Sequence, residues 1–255
     1  MRLLVSLRAA DEVAAALAGG ADIIDAKEPA HGSLGPVSPD VLRAISSRVP
    51  SSVPFSIALG DFTDTVAVED AVSIAGRTRQ QGPLYLKLGF AGEPSAEAVS
   101  TLIGVAHRAA HPAPGAVVVP VAYADSVNAG SPLPEDILSA AVGAAARAFL
   151  VDTYTKDGCG LLDWLDPERL RSLARRARAA SMVFGLAGSL DVGAVEQVAG
   201  LADVVGVRGA ACRGGRGGTV DTALVRSLRE RLEAGAASGR VSDRWQRPAR
   251  ASTDR

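Results

Sequence analysis

Short apolar runs alternate along this chain with alanine-rich stretches whose apolar positions recur every three to four residues, and the alternation repeats eight times. Period-two or continuous apolar runs predict strands at 2–6, 22–27, 54–59, 84–88, 116–122, 148–153, 182–187 and 203–208. The helical period predicts helices near 10–19, 38–48, 67–80, 95–110, 134–147, 166–179, 191–199 and 220–234. Start signals support several of them: Ser38-Pro39-Asp40, Asp166-Pro167-Glu168, and Thr219 ahead of the last helix. Gly19-Gly20 and Gly200 fall where helices should stop.

Eight strand–helix units of about 28 residues each fit a single (β/α)₈ barrel over residues 1–234. An open doubly wound sheet accounts for the alternation less well, because no Gly-x-Gly-x-x-Gly follows the first strand. Residues 235–255 are polar and lack an apolar period, which predicts a disordered tail.

A net charge of −1 over 255 residues gives no basic footprint for nucleic acid or an anionic membrane. No run approaches the roughly 18 apolar residues of a membrane span, and the apolar start of the chain is too short for a signal peptide. Cys159 and Cys212 lie far apart without metal-ligand spacing, as two reduced thiols of a cytoplasmic protein would. His107 and His111 are four apart with no third ligand, so no metal site is expected. Nothing in the sequence fixes the oligomeric state, and a homo-oligomer is compatible with it.

Lysine usage changes the picture. Of 27 basic residues only Lys27, Lys87 and Lys156 are lysine; the other 24 are arginine. Surface cations are arginine, as in Arg175-Arg176-Ala177-Arg178, so lysine is kept for positions where arginine would fail. Arginine holds its proton, whereas a desolvated lysine can release it and act as base or imine-forming nucleophile. The three lysines end strands 2, 4 and 6, and strand ends of that polarity form the active mouth of a (β/α)₈ barrel. Side-chain alternation places Asp25 beside Lys27, and Asp152 with Tyr154 beside Lys156. The bland alternative for Asp25 and Lys27 is a strand-end surface ion pair.

The runs after strands 7 and 8, Gly188-Ser189 and Arg208-Gly209-Ala210, occupy the usual phosphate position of this fold, with Arg208 as the expected cation. Tight glycine turns beside a solvent-facing arginine are the alternative. The run Gly214-Gly215-Arg216-Gly217-Gly218 reads as a flexible connector, with a flap as the second choice. His31, Asp61, Asp125 and Cys159 are weaker candidates, as loop or strand-end residues.

The chain resembles the (5-formylfuran-3-yl)methyl phosphate synthases, barrel enzymes that make the furan precursor of methanofuran. The likeness rests on Asp25-Ala26-Lys27-Glu28-Pro29, Gly32-Ser33-Leu34-Gly35, Tyr85-Leu86-Lys87-Leu88-Gly89, Val121-Ala122-Tyr123-Ala124-Asp125, Asp152 through Gly158, Leu186-Ala187-Gly188-Ser189 and Val207-Arg208-Gly209-Ala210. It covers the chain to about residue 233. The resemblance implies condensation of two glyceraldehyde 3-phosphates with loss of phosphate and water, without metal or organic cofactor. It also implies that Lys27 forms the Schiff base, Lys87 transfers protons, and Asp25, Asp152 and Lys156 support them. A class I aldolase or transaldolase, or a non-catalytic sugar-phosphate-binding barrel, are the alternatives.

Overall fold

Runs rich in Val, Ile and Leu cannot be covered by one helix face alone, and here each pairs with its neighbours in sequence to form a sheet whose two faces are both buried. The computed structural model describes residues 1–79, 81–113 and 115–242. The strands are β1 (Arg2–Leu7), β2 (Ile23–Ala26), β3 (Phe55–Asp61), β4 (Leu84–Gly89), β5 (Ala116–Tyr123), β6 (Ala148–Asp152), β7 (Val183–Leu186) and β8 (Val204–Val207). They close in that order into a parallel barrel, β8 pairing with β1. The (β/α)₈ architecture expected from the alternation is the one formed.

Helices α1 (Glu12–Ala18), α2 (Pro39–Arg48), α3 (Thr65–Gly76), α4 (Ala96–Ala110), α5 (Ser126–Ala129), α6 (Pro134–Gly143), α7 (Leu161–Trp164), α8 (Pro167–Ala179), α9 (Val192–Val198) and α10 (Thr222–Ser242) follow the strands. Ser38 caps α2 by accepting from the Val41 N–H, and Asp166 caps α8 by accepting from Glu168 and Arg169, each worth about 1 kcal/mol. The last helix starts differently from the expectation. Thr219 lies in a strand, and Asp221 accepts from the N–H groups of Ala223 and Leu224. This helix also runs past position 234, where the sequence pattern ended the barrel domain, so the expected tail does not begin at 235. Residues 243–255 lie outside the described residues.

Between β8 and α10 the chain makes a hairpin that periodicity did not reveal, β9 (Cys212–Arg213) against β10 (Thr219–Val220). Most of the core lies between barrel and helices, where outward residues such as Leu3, Ile24, Leu86 and Val205 meet helix residues such as Val13, Ile45 and Ile103. The barrel interior is lined by fewer and smaller apolar groups, among them Ala58, Val121 and Leu150. Strand register aligns Ser6, Asp25, Ser56 and Tyr85 in one inward row. Two residues further along β2 and β4 stand Lys27 and Lys87. Among the described residues no helix is long and apolar enough to cross a membrane.

Candidate active site

The carboxyl ends of the strands surround a cavity of about 340 Å³, lined by Lys27, Lys87, Asp152, Lys156, Ser189 and Arg216 among others. That volume lies at the low end of small-ligand pockets. Asp25 sits beneath it, fully buried.

The three lysines differ in what their nitrogens touch. Lys87 Nζ donates to Asp25 Oδ2 at 2.7 Å, and Ser6 Oγ donates to the same oxygen at 2.7 Å. Lys156 Nζ donates to Asp152 Oδ1 at 3.0 Å and to Thr153 Oγ1 at 2.8 Å. Lys27 Nζ has no acceptor at hydrogen-bond distance among the described residues; its nearest charge partner is Asp152 Oδ2 at 4.0 Å. The strand ends and the loop after β6 therefore build two tight lysine–carboxylate pairs around a third amine that is held only at 4.0 Å from Asp152. The surface ion pair that Asp25 and Lys27 could have formed is absent, since both are buried and Asp25 bonds Lys87 instead.

Electrostatics separates the groups further. Burial pulls the Lys27 ammonium down from 10.5 to about 8, with Lys87 and Lys156 adding to the effect while Asp152 and Asp25 oppose it. Burial alone would raise Asp152, yet Lys156 and Lys27 outweigh it and hold this carboxyl well below the usual range. Asp25 behaves alike, with burial overcome by Lys87 and Lys27. Two firm carboxylates thus face an amine poised to be neutral.

Acidic residues at the ends of β3 and β5 order the rim. Asp125 accepts from the N–H groups of Tyr154 at 2.6 Å and Thr155 at 2.8 Å, which fixes the loop carrying Lys156. Asp61 accepts from Tyr123 Oη at 2.7 Å and from the Ala91 N–H at 2.9 Å. Gly89 makes room for that pair: a methyl group there would collide with the Asp61 carboxylate and the Tyr123 hydroxyl. Tyr154, which alternation placed beside Lys156, instead packs edge-on against Tyr123 with 5.3 Å between ring centroids and is 38% exposed.

On the opposite side, Gly188, Ser189, Gly209 and Ala210 line the cavity as the sequence suggested. Gly188 (φ +114°) and Ser189 (φ +48°) are consecutive left-handed residues. A non-glycine residue in that region costs about 1 kcal/mol or more and persists where its surroundings over-determine it.

Arg208 departs from expectation. Its guanidinium donates to Glu12 Oε2 at 2.8 Å and Oε1 at 3.1 Å, to the carbonyls of Ser6 at 2.9 Å and Gly218 at 2.6 Å, and through Nε to that of Arg216 at 3.2 Å. All five of its N–H groups are engaged by protein acceptors. Arg208 lines the same cavity, but its guanidinium is committed to a structural tie, buried against Glu12. Glu12 escaped sequence reasoning; the only sign was a carboxylate on the Val13–Ala16 face of an otherwise apolar short helix.

The remaining candidates lie away from the cavity or bring no partner to it. His31 is exposed, its Nδ1 3.4 Å from the Pro36 carbonyl. His107 and His111 lie at the end of α4, on the far side of the barrel from the mouth, and no group of three or more metal-ligating side chains occurs among the described residues. Cys159 neighbours Asp157, whose charge raises the thiol.

Known proteins resemble this chain at two levels, sequence and fold. The model of the 4-HFC-P synthase family matches residues 3–229. A (5-formylfuran-3-yl)methyl phosphate synthase of Methanothermobacter thermautotrophicus is 35% identical over 91% of this chain and 99% of its own. That of Methanopyrus kandleri is 36% identical over 91% and 98%, and a putative one of Streptomyces griseus is 32% identical over 91% and 95%. Among solved structures, phosphoribosyl anthranilate isomerase from Thermotoga maritima superposes with a TM-score of 0.59 at 17% identity, over 92% of this chain and 99% of that one. KGPDC from Streptococcus mutans gives 0.59 at 11% identity, over 91% and 97%. The structural likeness shows the shared barrel, and the sequence match shows the lineage: this chain is an enzyme of the (5-formylfuran-3-yl)methyl phosphate synthase family.

Proposed function

We propose that the mouth condenses two molecules of glyceraldehyde 3-phosphate through a Schiff base on Lys27, as a step of furan-cofactor biosynthesis. One observation carries the reading: a buried amine with no hydrogen-bond acceptor among the described residues lies between two lysine–carboxylate pairs. An aldol step needs one such amine, whereas building an aromatic ring needs repeated proton transfers, and the two pairs supply groups for them.

The product's connectivity assigns the steps. Its phosphomethyl arm keeps the phosphate of one triose, and its formyl carbon is the aldehyde carbon of the other. Lys27 attacks that second aldehyde and water leaves, giving an iminium. Loss of the C2 proton gives an enamine, which expels phosphate from C3 and leaves a conjugated iminium electrophilic at that carbon. C2 of the first triose, deprotonated as its enediol, forms the new carbon–carbon bond there. The C2 oxygen of the imine-bound triose closes onto the remaining aldehyde, and the two ring hydroxyls leave as water. Hydrolysis frees Lys27. In sum, two triose phosphates give one furan phosphate, one phosphate and two waters. In this reading Lys87–Asp25 and Lys156–Asp152 carry the protons, and a substrate phosphate rests against Gly188, Ser189, Gly209 and Ala210.

Incubating the pure protein with glyceraldehyde 3-phosphate should yield a near-ultraviolet-absorbing aldehyde and free phosphate in equal amounts. Borohydride quenching should leave the adduct on the peptide containing Lys27. An open-chain hexose phosphate without released phosphate would replace this reading with a class I aldolase. An adduct on Lys87 or Lys156 would move the nucleophile.

A further inference from the structure

We infer that Arg216 holds a substrate phosphate and, through the same guanidinium, ties phosphate binding to closure of the loop that follows Lys27. The inference rests on the reading above in taking the substrate as phosphorylated, and on an inventory of the cations around the cavity. Lys87 is held by Asp25, Lys156 by Asp152 and Thr153, and Arg208 by Glu12 and three carbonyls. Lys27 must stay free for the carbonyl. Arg216 remains. Its Nη2 donates to the Gly32 carbonyl at 2.7 Å and the Pro29 carbonyl at 3.3 Å, whereas its Nε and Nη1 meet no acceptor among the described residues. A half-buried guanidinium lining a pocket, with donors left over on one side, is built to take an anion of matching geometry.

The backbone that presents Arg216 is fixed at several points. It lies at the tip of the β9–β10 hairpin, where Gly214 and Gly215 both take positive φ. Arg208 donates to the carbonyls of Arg216 and Gly218, and Arg8 Nη1 donates to that of Gly217 at 2.9 Å. Gly218 has no room for a side chain, because a methyl group there would run into the Arg213 carbonyl. The run expected to be a flexible connector is therefore a strap. Arg208 contributes by holding the residue that takes its expected role.

On its other side Arg216 grips the loop after Lys27. That loop has two further anchors: Ser33 Oγ donates to the Thr153 carbonyl at 2.7 Å, and Leu34 packs, almost fully buried, with Ala58 and Tyr123 inside the mouth. The three anchors tie the loop after β2 to β3 and β5, to the end of β6 and to the β9–β10 hairpin. An anion bound to the spare donors of Arg216 would order the side chain whose remaining N–H groups hold Pro29 and Gly32. Phosphate binding would then stabilise the closed loop, and closure would exclude water from the imine.

The test compares reductive trapping of glyceraldehyde 3-phosphate and of glyceraldehyde on the intact protein and on Arg216→Met and Arg216→Lys, with thermal melts confirming that each variant is folded. For Arg216→Met the preference for glyceraldehyde 3-phosphate over glyceraldehyde, read as the ratio of half-saturating concentrations, should fall about ten- to a hundredfold, the loss expected for a charge-assisted contact. Inorganic phosphate should speed trapping of glyceraldehyde on the wild type and leave Arg216→Met unaffected. Arg216→Lys should recover part of the affinity without the acceleration, since an ammonium lacks the fork that bridges loop and anion. An unchanged preference for the phosphorylated aldehyde in Arg216→Met would remove Arg216 from the phosphate site, and a wild type indifferent to added phosphate would break the link to loop closure. These outcomes are read from imine formation alone. Absence of a furan product would therefore sink the proposed reaction while leaving the Arg216 comparison decisive.

Discussion

A lysine attacks a carbonyl only after shedding its proton, and the surroundings of Lys27 favour that more than water does. With burial lowering it from 10.5 to about 8, roughly one molecule in ten carries the neutral amine at pH 7, against about one in three thousand for an unperturbed lysine. The second-order rate of imine trapping should accordingly rise about tenfold from pH 6 to 7 and level off above about 8. Asp152 works against this by stabilising the ammonium, so Asp152→Asn should move the midpoint of the profile to lower pH, whatever it does to later steps. A profile flat from pH 6 to 9 would mean that deprotonation of Lys27 does not control attack. Lys27→Arg should give no adduct at any pH, because it keeps the charge and cannot lose it.

Arg208 belongs to the scale of elements, since its side chain joins β8, α1 and the β9–β10 hairpin through Glu12, Gly218 and Arg216. Glu12 also accepts from the N–H groups of Arg8 at 2.8 Å and Val220 at 3.1 Å, so both ends of the strap converge on one buried carboxylate. Removing one member of such a pair strands the other, at a cost of about 3–5 kcal/mol. Arg208→Ala should lower Tm by roughly 6–20 °C in a domain of this size, and Arg208→Met with Glu12→Met should recover much of that loss. A single variant melting within a degree or two of the wild type would show that the pair bears little of the structure. The eight strands and the three lysines were legible because each is a local signal, an apolar run of set length or a residue type withheld elsewhere. The pairing of Arg208 with Glu12 spans nearly the whole chain and leaves no local trace. Neither does the donation from Ser33 to Thr153. Alternation assumes a straight strand, whereas β6 ends at Asp152 and Asp125 holds the next turn by its N–H groups, which leaves Tyr154 edge-on against Tyr123. The hairpin at 212–220 did carry a faint signal in Cys212-Arg213 and Thr219-Val220 flanking a glycine-rich turn, too short for periodicity to register.

For the molecule as a whole, the mouth is a place where stability gives way to chemistry. A buried ammonium whose nearest carboxylate lies 4.0 Å away destabilises the fold, and the downward shift of Lys27 measures how much. A group whose folded-state pKa lies below its unfolded value binds fewer protons when folded, so its penalty is complete below about 8. It lifts as pH rises toward 10.5, where the unfolded chain loses the same proton. Over that window the shift corresponds to roughly 3 kcal/mol. Lys27→Met fills similar space without a charge, and Asp152 keeps Lys156 at 3.0 Å as its partner. The variant should therefore be inactive yet more stable than the wild type. Its advantage should approach that figure at pH 7, less what Asp152 loses, and shrink steadily between pH 8 and 10.5. Urea unfolding of both proteins at a series of pH values checks this directly. Equal stability at pH 7, or an advantage that grows toward alkaline pH, would show that Lys27 is well solvated in the folded protein. Its readiness to form an imine would then need a cause other than burial.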